Sequence, residues 1–219
     1  MIKAVVFDLD GTLLDRATSI VRFAEWQYQR YEGLQSILQE EYVRSFVELD
    51  DDGHLWKDEV YQQLLARHKL TGVTWQVLLD DYVEKFAEIC VGFLKMQDVL
   101  ERLQAENYAL GMITNGRSPF QEKAMQAIGI ESFFAVILVS GAVGCKKPDA
   151  RIFEAALDGL GVRPDEAVFV GDSPQADIAG AQGVGMKAIW KAGDRPLAGH
   201  EADGMCDELS ELPGIIRQM

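Results

Sequence analysis

The sequence predicts an α/β fold: a Rossmann-like parallel sheet core with helices on both faces, interrupted by an inserted all-helical domain. Three observations carry that expectation. Short apolar runs rich in β-branched residues alternate with helical patterns along most of the chain, the order that builds a parallel sheet. Each run leads into polar, turn-forming residues. The stretch from about Arg16 to Cys90 holds no strand candidate of comparable strength.

Taken in order, Ile2 to Phe7 is short and apolar and runs into Asp-Gly, which reads as a buried strand ending in a turn. Helical apolar spacing follows through Ile20, Phe23, Ala24 and Gln27, and again through Tyr61, Leu64, Leu65 and His68. Further strands are expected at Tyr108–Ile113, Phe133–Val139, Ala167–Val170 and Met186–Trp190. Between them lie helical patterns at Met96–Glu106, Pro119–Ile128, Ala150–Leu160 and Ala176–Gln182. Pro119, Pro148, Pro164 and Pro174 fall near the helix starts, where a missing N–H costs nothing. A helical segment between the first two strands implies a discontinuous core, residues 1–15 and 91–219, around an inserted domain at 16–90.

Composition narrows the function classes. In 219 residues, 35 acidic side chains outnumber 21 basic ones, a formal net charge of -14, so a nucleic-acid backbone is not the expected partner. With 48% apolar residues the chain can fill a core. The longest apolar run, Phe133 to Val139, is far too short to cross a bilayer. The N-terminus turns acidic at Asp8, unlike a signal peptide. Cys90, Cys145 and Cys206 are scattered and odd in number, which suits reduced thiols in a cytoplasmic protein better than a disulfide or zinc framework.

In open α/β sheets, ligands bind beyond the carboxyl ends of the strands. After the first strand come Asp8, Leu9, Asp10, Gly11 and Thr12; after the second, Thr114, Asn115 and Gly116. Past the third comes Lys147-Pro148-Asp149; after the fourth, Gly171, Asp172 and Ser173, with Asp177 a helical turn on. Each piece alone has a bland reading, since Asp-Gly is usually a turn and Gly-Asp-Ser often a helix N-cap. Together, at successive strand ends, they make one site. Carboxylates crowded there raise one another's pKa unless a cation sits among them. A few hard oxygens beside a phosphate suit Mg²⁺.

The motifs VVFDLDGT (Val5–Thr12), MITNG (Met112–Gly116), KKPDARIF (Lys146–Phe153) and VFVGDSPQAD (Val168–Asp177), in this order, resemble the haloacid dehalogenase-like hydrolase superfamily. The insert directly after the first strand resembles the subgroup with a helical cap. The resemblance implies Asp8 as nucleophile, forming an aspartyl-phosphate, and Asp10 as the acid and base that serves leaving alcohol and water. It implies Thr114 and the backbone N–H groups around Leu9 and Asn115 as holders of the phosphoryl oxygens. Lys147 would neutralise the phosphate and Asp8; it is chosen over Lys146 because the family's lysine directly precedes Pro-Asp. Asp8, the Asp10 carbonyl and Asp172 would bind Mg²⁺, with Asp177 behind them or orienting Lys147. An aspartate two past the nucleophile resembles phosphatases and phosphosugar mutases, whereas the dehalogenase branch lacks it. One departure is CVGFLKMQDVL, where relatives often carry Pro-Gly, and it blurs the second domain boundary. The expected function is therefore a Mg²⁺-dependent phosphatase of a small-molecule phosphate ester, with no nucleic-acid or membrane partner. The alternatives are a phosphosugar mutase on the same core and a noncatalytic binding module.

Other features have simpler readings. The run from Glu48 through Asp50, Asp51, Asp52 and Gly53 to Glu59 fits a calcium-loop template except at its first position. It is read as a solvated acidic turn with Gly53 left-handed; a loop that faces the active site and helps select substrate is the intermediate reading. His54, His68 and His200 lack ligand spacing, and Trp26, Trp56 and Trp75 are expected to fill a small core. GAQGVG at Gly180–Gly185 precedes a strand rather than following one, so it is no dinucleotide fingerprint.

Overall fold

A computed structural model describes every residue except 194–196, 198 and 200. The chain divides into two compact units, one of Met1–Asp15 with Gly92–Met219, the other of Arg16–Val91. In the second unit four helices follow one another: α1 (Arg16–Arg30), α2 (Gln39–Asp50), α3 (Lys57–His68) and α4 (Trp75–Ile89). Ile20, Phe23, Ala24 and Gln27 bury one stripe of α1, as their spacing predicts. Phe23 packs edge-on against Tyr82 at 5.2 Å between ring centres. Tyr61 and Leu64 are buried on α3. The Gln27 amide donates to the Leu78 carbonyl (2.9 Å) and accepts from the Tyr42 hydroxyl (2.9 Å), so this buried polar side chain is satisfied inside the bundle.

The first unit is a six-stranded, wholly parallel sheet. Its strands are β1 (Ala4–Phe7), β2 (Ala109–Thr114), β3 (Val136–Val139), β4 (Ala167–Gly171), β5 (Lys187–Lys191) and β6 (Gly204–Cys206), in the order β3-β2-β1-β4-β5-β6. Strand β1 lies between β2 and β4, with Val5 opposite Leu110 on one side and Val168 on the other. The helices α5 (Met96–Ala105), α6 (Phe120–Ala127), α7 (Ser140–Val143) and α8 (Ala150–Leu160) connect or follow the strands. Alternate residues of the central strands point to opposite faces. Ala4, Val6, Ile113 and Phe169 join Ile152, Phe153 and Ala156 of α8 in one cluster, while Val5, Phe7, Met112 and Val170 are equally buried. Both faces are therefore covered, as the uninterrupted apolar runs require.

Four details differ from the sequence expectation. The run at Phe133 begins as a 3₁₀ turn (Glu131–Phe133), and pairing with β2 starts only at Val136 opposite Gly111. The helix expected at Ala176 opens instead as a π-helical turn, Pro174–Ala179, before Gly180–Gly183. The sixth strand, Gly204–Cys206, and a C-terminal helix, Leu212–Ile216, were not foreseen. The chain leaves the sheet unit after Asp15 and returns at Gly92, where Leu14 and Gly92 form an antiparallel bridge and the Phe93 N–H donates to the Leu13 carbonyl (2.9 Å). Among the described residues no helix is long and apolar enough to cross a membrane.

Candidate active site

The turn after β1 is built on one carbonyl. Leu9 accepts from the N–H groups of Thr12 (3.3 Å), Leu13 (3.0 Å) and Leu14 (2.8 Å), while its side chain is wholly buried, so only its backbone can serve a ligand. Gly11 sits at φ +81°, and a Cβ there would collide with the Asp172 carboxylate. Glycine is thus required twice, by conformation and by closeness. The turn leaves Asp8 at the strand end, 6% exposed, its N–H still donating to Val170 (2.9 Å).

Lys147 reaches Asp8 from the loop after β3. Its Nζ lies 2.5 Å from Asp8 Oδ1 and 2.7 Å from Asp177 Oδ1, and it sits 5.1 Å from the centre of the Phe169 ring. Asn115 at the end of β2 fixes that loop: its Nδ2 donates to the Lys147 carbonyl (3.0 Å) and its Oδ1 accepts from the Lys147 N–H (2.9 Å). Asp177 also accepts from the Ser173 N–H (2.9 Å), and a Cβ on Gly171 would collide with the Asp177 carboxyl. Asp177 is thus positioned to orient Lys147.

Carboxylate oxygens of Asp8, Asp172 and Asp177 all lie within 4.8 Å of one another. Burial, with the charges of Asp177 and Asp172 adding to it and Lys147 opposing, pushes the Asp8 carboxyl well above its ordinary pKa. Burial pulls the Lys147 ammonium down, but Asp177 and then Asp8 outweigh it and hold it above its ordinary value. With all three carboxylates ionised, one ammonium leaves two negative charges, which is what a divalent cation would offset. The donor set therefore fits a hard metal ion. On the neighbouring strand the Thr114 hydroxyl is fully buried and has no hydrogen-bond partner. A buried orphan hydroxyl is costly, and a phosphoryl oxygen is a group that could satisfy it.

Asp8, Lys147, Asp172 and Asp177 thus meet in one cluster, with Thr114 and Asn115 at the end of the adjoining strand β2. The Asp10 carboxylate is not among the three clustered carboxylates; its Oδ2 accepts from Gln121 Nε2 at 2.6 Å. Neither Gln121 nor the side-chain clamp of Asn115 was expected. Gln121 lies 111 positions from Asp10, and no local pattern marks such a pair.

The acidic run of the helical unit assembles differently. Asp50 is buried, with Lys57 Nζ and Arg16 Nη2 (2.9 Å) on Oδ1 and Arg16 Nη1 (2.7 Å) and the Gly53 N–H (3.1 Å) on Oδ2. The central carboxylate of the calcium template is taken up by the chain's own cations. Gly53 is left-handed, φ +84°, as the turn reading expects. His68 lies between Ser45 (2.8 Å) and Glu41 (3.3 Å), and His54 is exposed. His200 lies outside the described residues. Trp26 packs on Phe23 and Trp56 on Tyr82.

The sequence profile described as haloacid dehalogenase-like hydrolase matches residues 5–191. Over 91 residues, 42% of this chain and 36% of the other, the chain is 41% identical to phosphoserine phosphatase of Thermus thermophilus. It is 30% identical to glyceraldehyde 3-phosphate phosphatase of Pyrococcus furiosus across 99% of this chain and 94% of that one. A crystal structure of a 2-haloacid dehalogenase from Pseudomonas syringae is 32% identical over 100% of this chain and 99% of its own, with a TM-score of 0.68. A profile that spans most of the sequence, and relatives of this identity from end to end, mean that the chain is an enzyme of the haloacid dehalogenase-like hydrolase family.

Proposed function

We propose that this hydrolase is a Mg²⁺-dependent phosphatase of a small phosphate monoester that works through an aspartyl-phosphate on Asp8. The observation that carries the reading is Lys147 held between Asp8 and Asp177, with the orphan Thr114 hydroxyl at the end of the adjoining strand. A carboxylate oxygen of Asp8 attacks phosphorus as the ester P–O bond breaks, and Asp10 gives its proton to the departing alcohol. Lys147, Thr114 and the backbone N–H groups near Leu9 and Asn115 hold the phosphoryl oxygens. Asp10 then takes a proton from water, which attacks the same phosphorus and releases phosphate with Asp8 restored. Mg²⁺ held by Asp8, the Asp10 carbonyl and Asp172 would supply positive charge beside the transferring group. An aspartate at position 10, two past Asp8, favours phosphoester chemistry over dehalogenation, which does not call for an acid at that place.

By the same reading the helical segment 16–90 is a cap that folds as an insert, and the protein works in the cytoplasm, where three thiols outside any disulfide stay reduced. The test is phosphate release from a panel of monoesters, with glyceraldehyde 3-phosphate and phosphoserine first. Turnover with Mg²⁺, loss on chelation and no rescue by Ca²⁺ are expected, because calcium takes more ligands at longer distances. Undiminished turnover after chelation, or halide release from a 2-haloacid without phosphate release, overturns the proposal. Sugar-phosphate isomerisation without net phosphate release would identify a mutase.

A further inference from the structure

We propose that Gln121 is a positioning residue for Asp10, holding its carboxylate at the angle from which it exchanges protons with leaving group and water. The inference rests on the acid–base reading of Asp10 given above. Gln121 projects from the first turn of α6 and is 5% exposed. Its Nε2 donates to Asp10 Oδ2 (2.6 Å) and points at the Asn115 carbonyl (3.4 Å). Both neighbours are acceptors, so the nitrogen must face them and the orientation of the amide is fixed. A donor on Oδ2 leaves Oδ1 as the oxygen open to proton transfer. The Gln121 side chain packs directly on Gly116, where a Cβ would collide with its amide. Asn115 in turn clamps the Lys147 backbone from both sides. Gln121 therefore registers Asp10 to the same backbone that carries Thr114 and Lys147, so the proton-transfer group and the phosphate-binding groups keep one geometry.

Misplacing a reacting group by about 1 Å can cost on the order of 10²-fold. Gln121→Leu keeps the bulk and removes the donor. It is expected to lower kcat on an alkyl phosphate by about 10- to 100-fold with KM within about twofold, and to lower kcat on an aryl phosphate, whose leaving group needs little protonation, by clearly less. Gln121→Asn, one methylene short of Asp10, serves if the leucine variant fails to fold and should show the same split. A readout independent of turnover is the Gln121 side-chain amide signal in ¹⁵N-labelled protein, which should move in Asp10→Asn. Asp10→Asn is assayed alongside, and with Gln121→Leu as a double variant that should be no slower than Asp10→Asn. If Asp10→Asn slows aryl and alkyl esters alike, the acid–base reading itself falls. If Asp10→Asn splits the esters while neither Gln121 variant does, or the losses simply multiply, or the amide signal stays put, Gln121 is a packing residue and the inference is overturned.

Discussion

Asp50 in the helical unit and Asp8 in the sheet unit are both buried carboxylates paired with a buried lysine, Lys57 and Lys147 respectively. Their surroundings differ. Both oxygens of Asp50 are taken, by Lys57, by the two arms of Arg16 and by the Gly53 N–H. Asp8 has Lys147 on one oxygen and a long contact from the Thr12 hydroxyl (3.4 Å) on the other, and it faces two more carboxylates. Desolvation penalises a buried ion in either place. The helical unit offsets it with a closed set of contacts, which fixes a turn; the sheet unit leaves it partly unmet, which is useful only if something charged arrives.

The sharpest way to break that contrast is Asp8→Asn. Turnover should fall by about 10⁴- to 10⁶-fold, as for other lost nucleophiles, while the fold holds by circular dichroism. Because burial and the neighbouring carboxylates raise the Asp8 carboxyl, its contribution to stability is lost as pH rises from the ordinary carboxylate range toward the raised value. The amide removes that penalty, so the urea midpoint at neutral pH should stay level or rise. Wild-type activity would remove Asp8 from the mechanism.

Asp10→Asn should cost about 10²- to 10⁴-fold on alkyl esters and less on aryl esters. Given an aryl ester, the variant should accumulate one phosphoryl group on the Asp8 peptide, seen by acid-quench mass spectrometry. Equal losses with no adduct would leave Asp10 only the shaping of its turn.

Asp50→Asn probes the other side. It leaves Lys57 buried without its carboxylate partner and should cost about 3–5 kcal/mol of stability, read as a lower urea midpoint of the transition that reports the helical unit. A midpoint within experimental error of wild type would show that the closed network contributes nothing.

Thr114→Val has the smallest expected effect and the most direct bearing. Removing a buried hydroxyl that has no partner should leave stability unchanged or raise it by up to about 1 kcal/mol, while inorganic phosphate should inhibit about tenfold more weakly. Destabilisation with unchanged phosphate inhibition would mean that the hydroxyl serves the fold.

What the sequence revealed and what it hid follow from the range of the interactions. Strands β1, β2 and β4 are apolar runs buried almost throughout, and β3 and β5 keep an apolar centre, so each is visible in its own residues, to within three residues at either end. Strand β6 is three residues long, contains a glycine, and exists because β5 offers it an edge, with Lys191 opposite Cys206. The four strand-end motifs were legible because parallel topology brings such ends together whatever the side chains do. The partners of Asp10 and of the Lys147 backbone were not: the Gln121 and Asn115 amides find them across 111 and 32 positions. In the helical unit the acidic run and its turn were legible, but the cations that close on Asp50 were not, since Arg16 lies 34 positions away.

The bridge between Leu14 and Gly92 has a consequence for how such a chain can change over generations. The two ends of the interruption are already tied by the sheet unit's own backbone, through that bridge and the bond from Phe93 to Leu13. Closing a longer excursion from such a tied doorway costs only about 0.6 kcal/mol per doubling of its length. The helical unit closes its own ends in the same manner, with the Ser19 hydroxyl accepting from the Val91 N–H (3.0 Å). Each piece carries its own seam, so an insert of another size or sequence could be exchanged at this point while the strand-end chemistry is inherited unaltered.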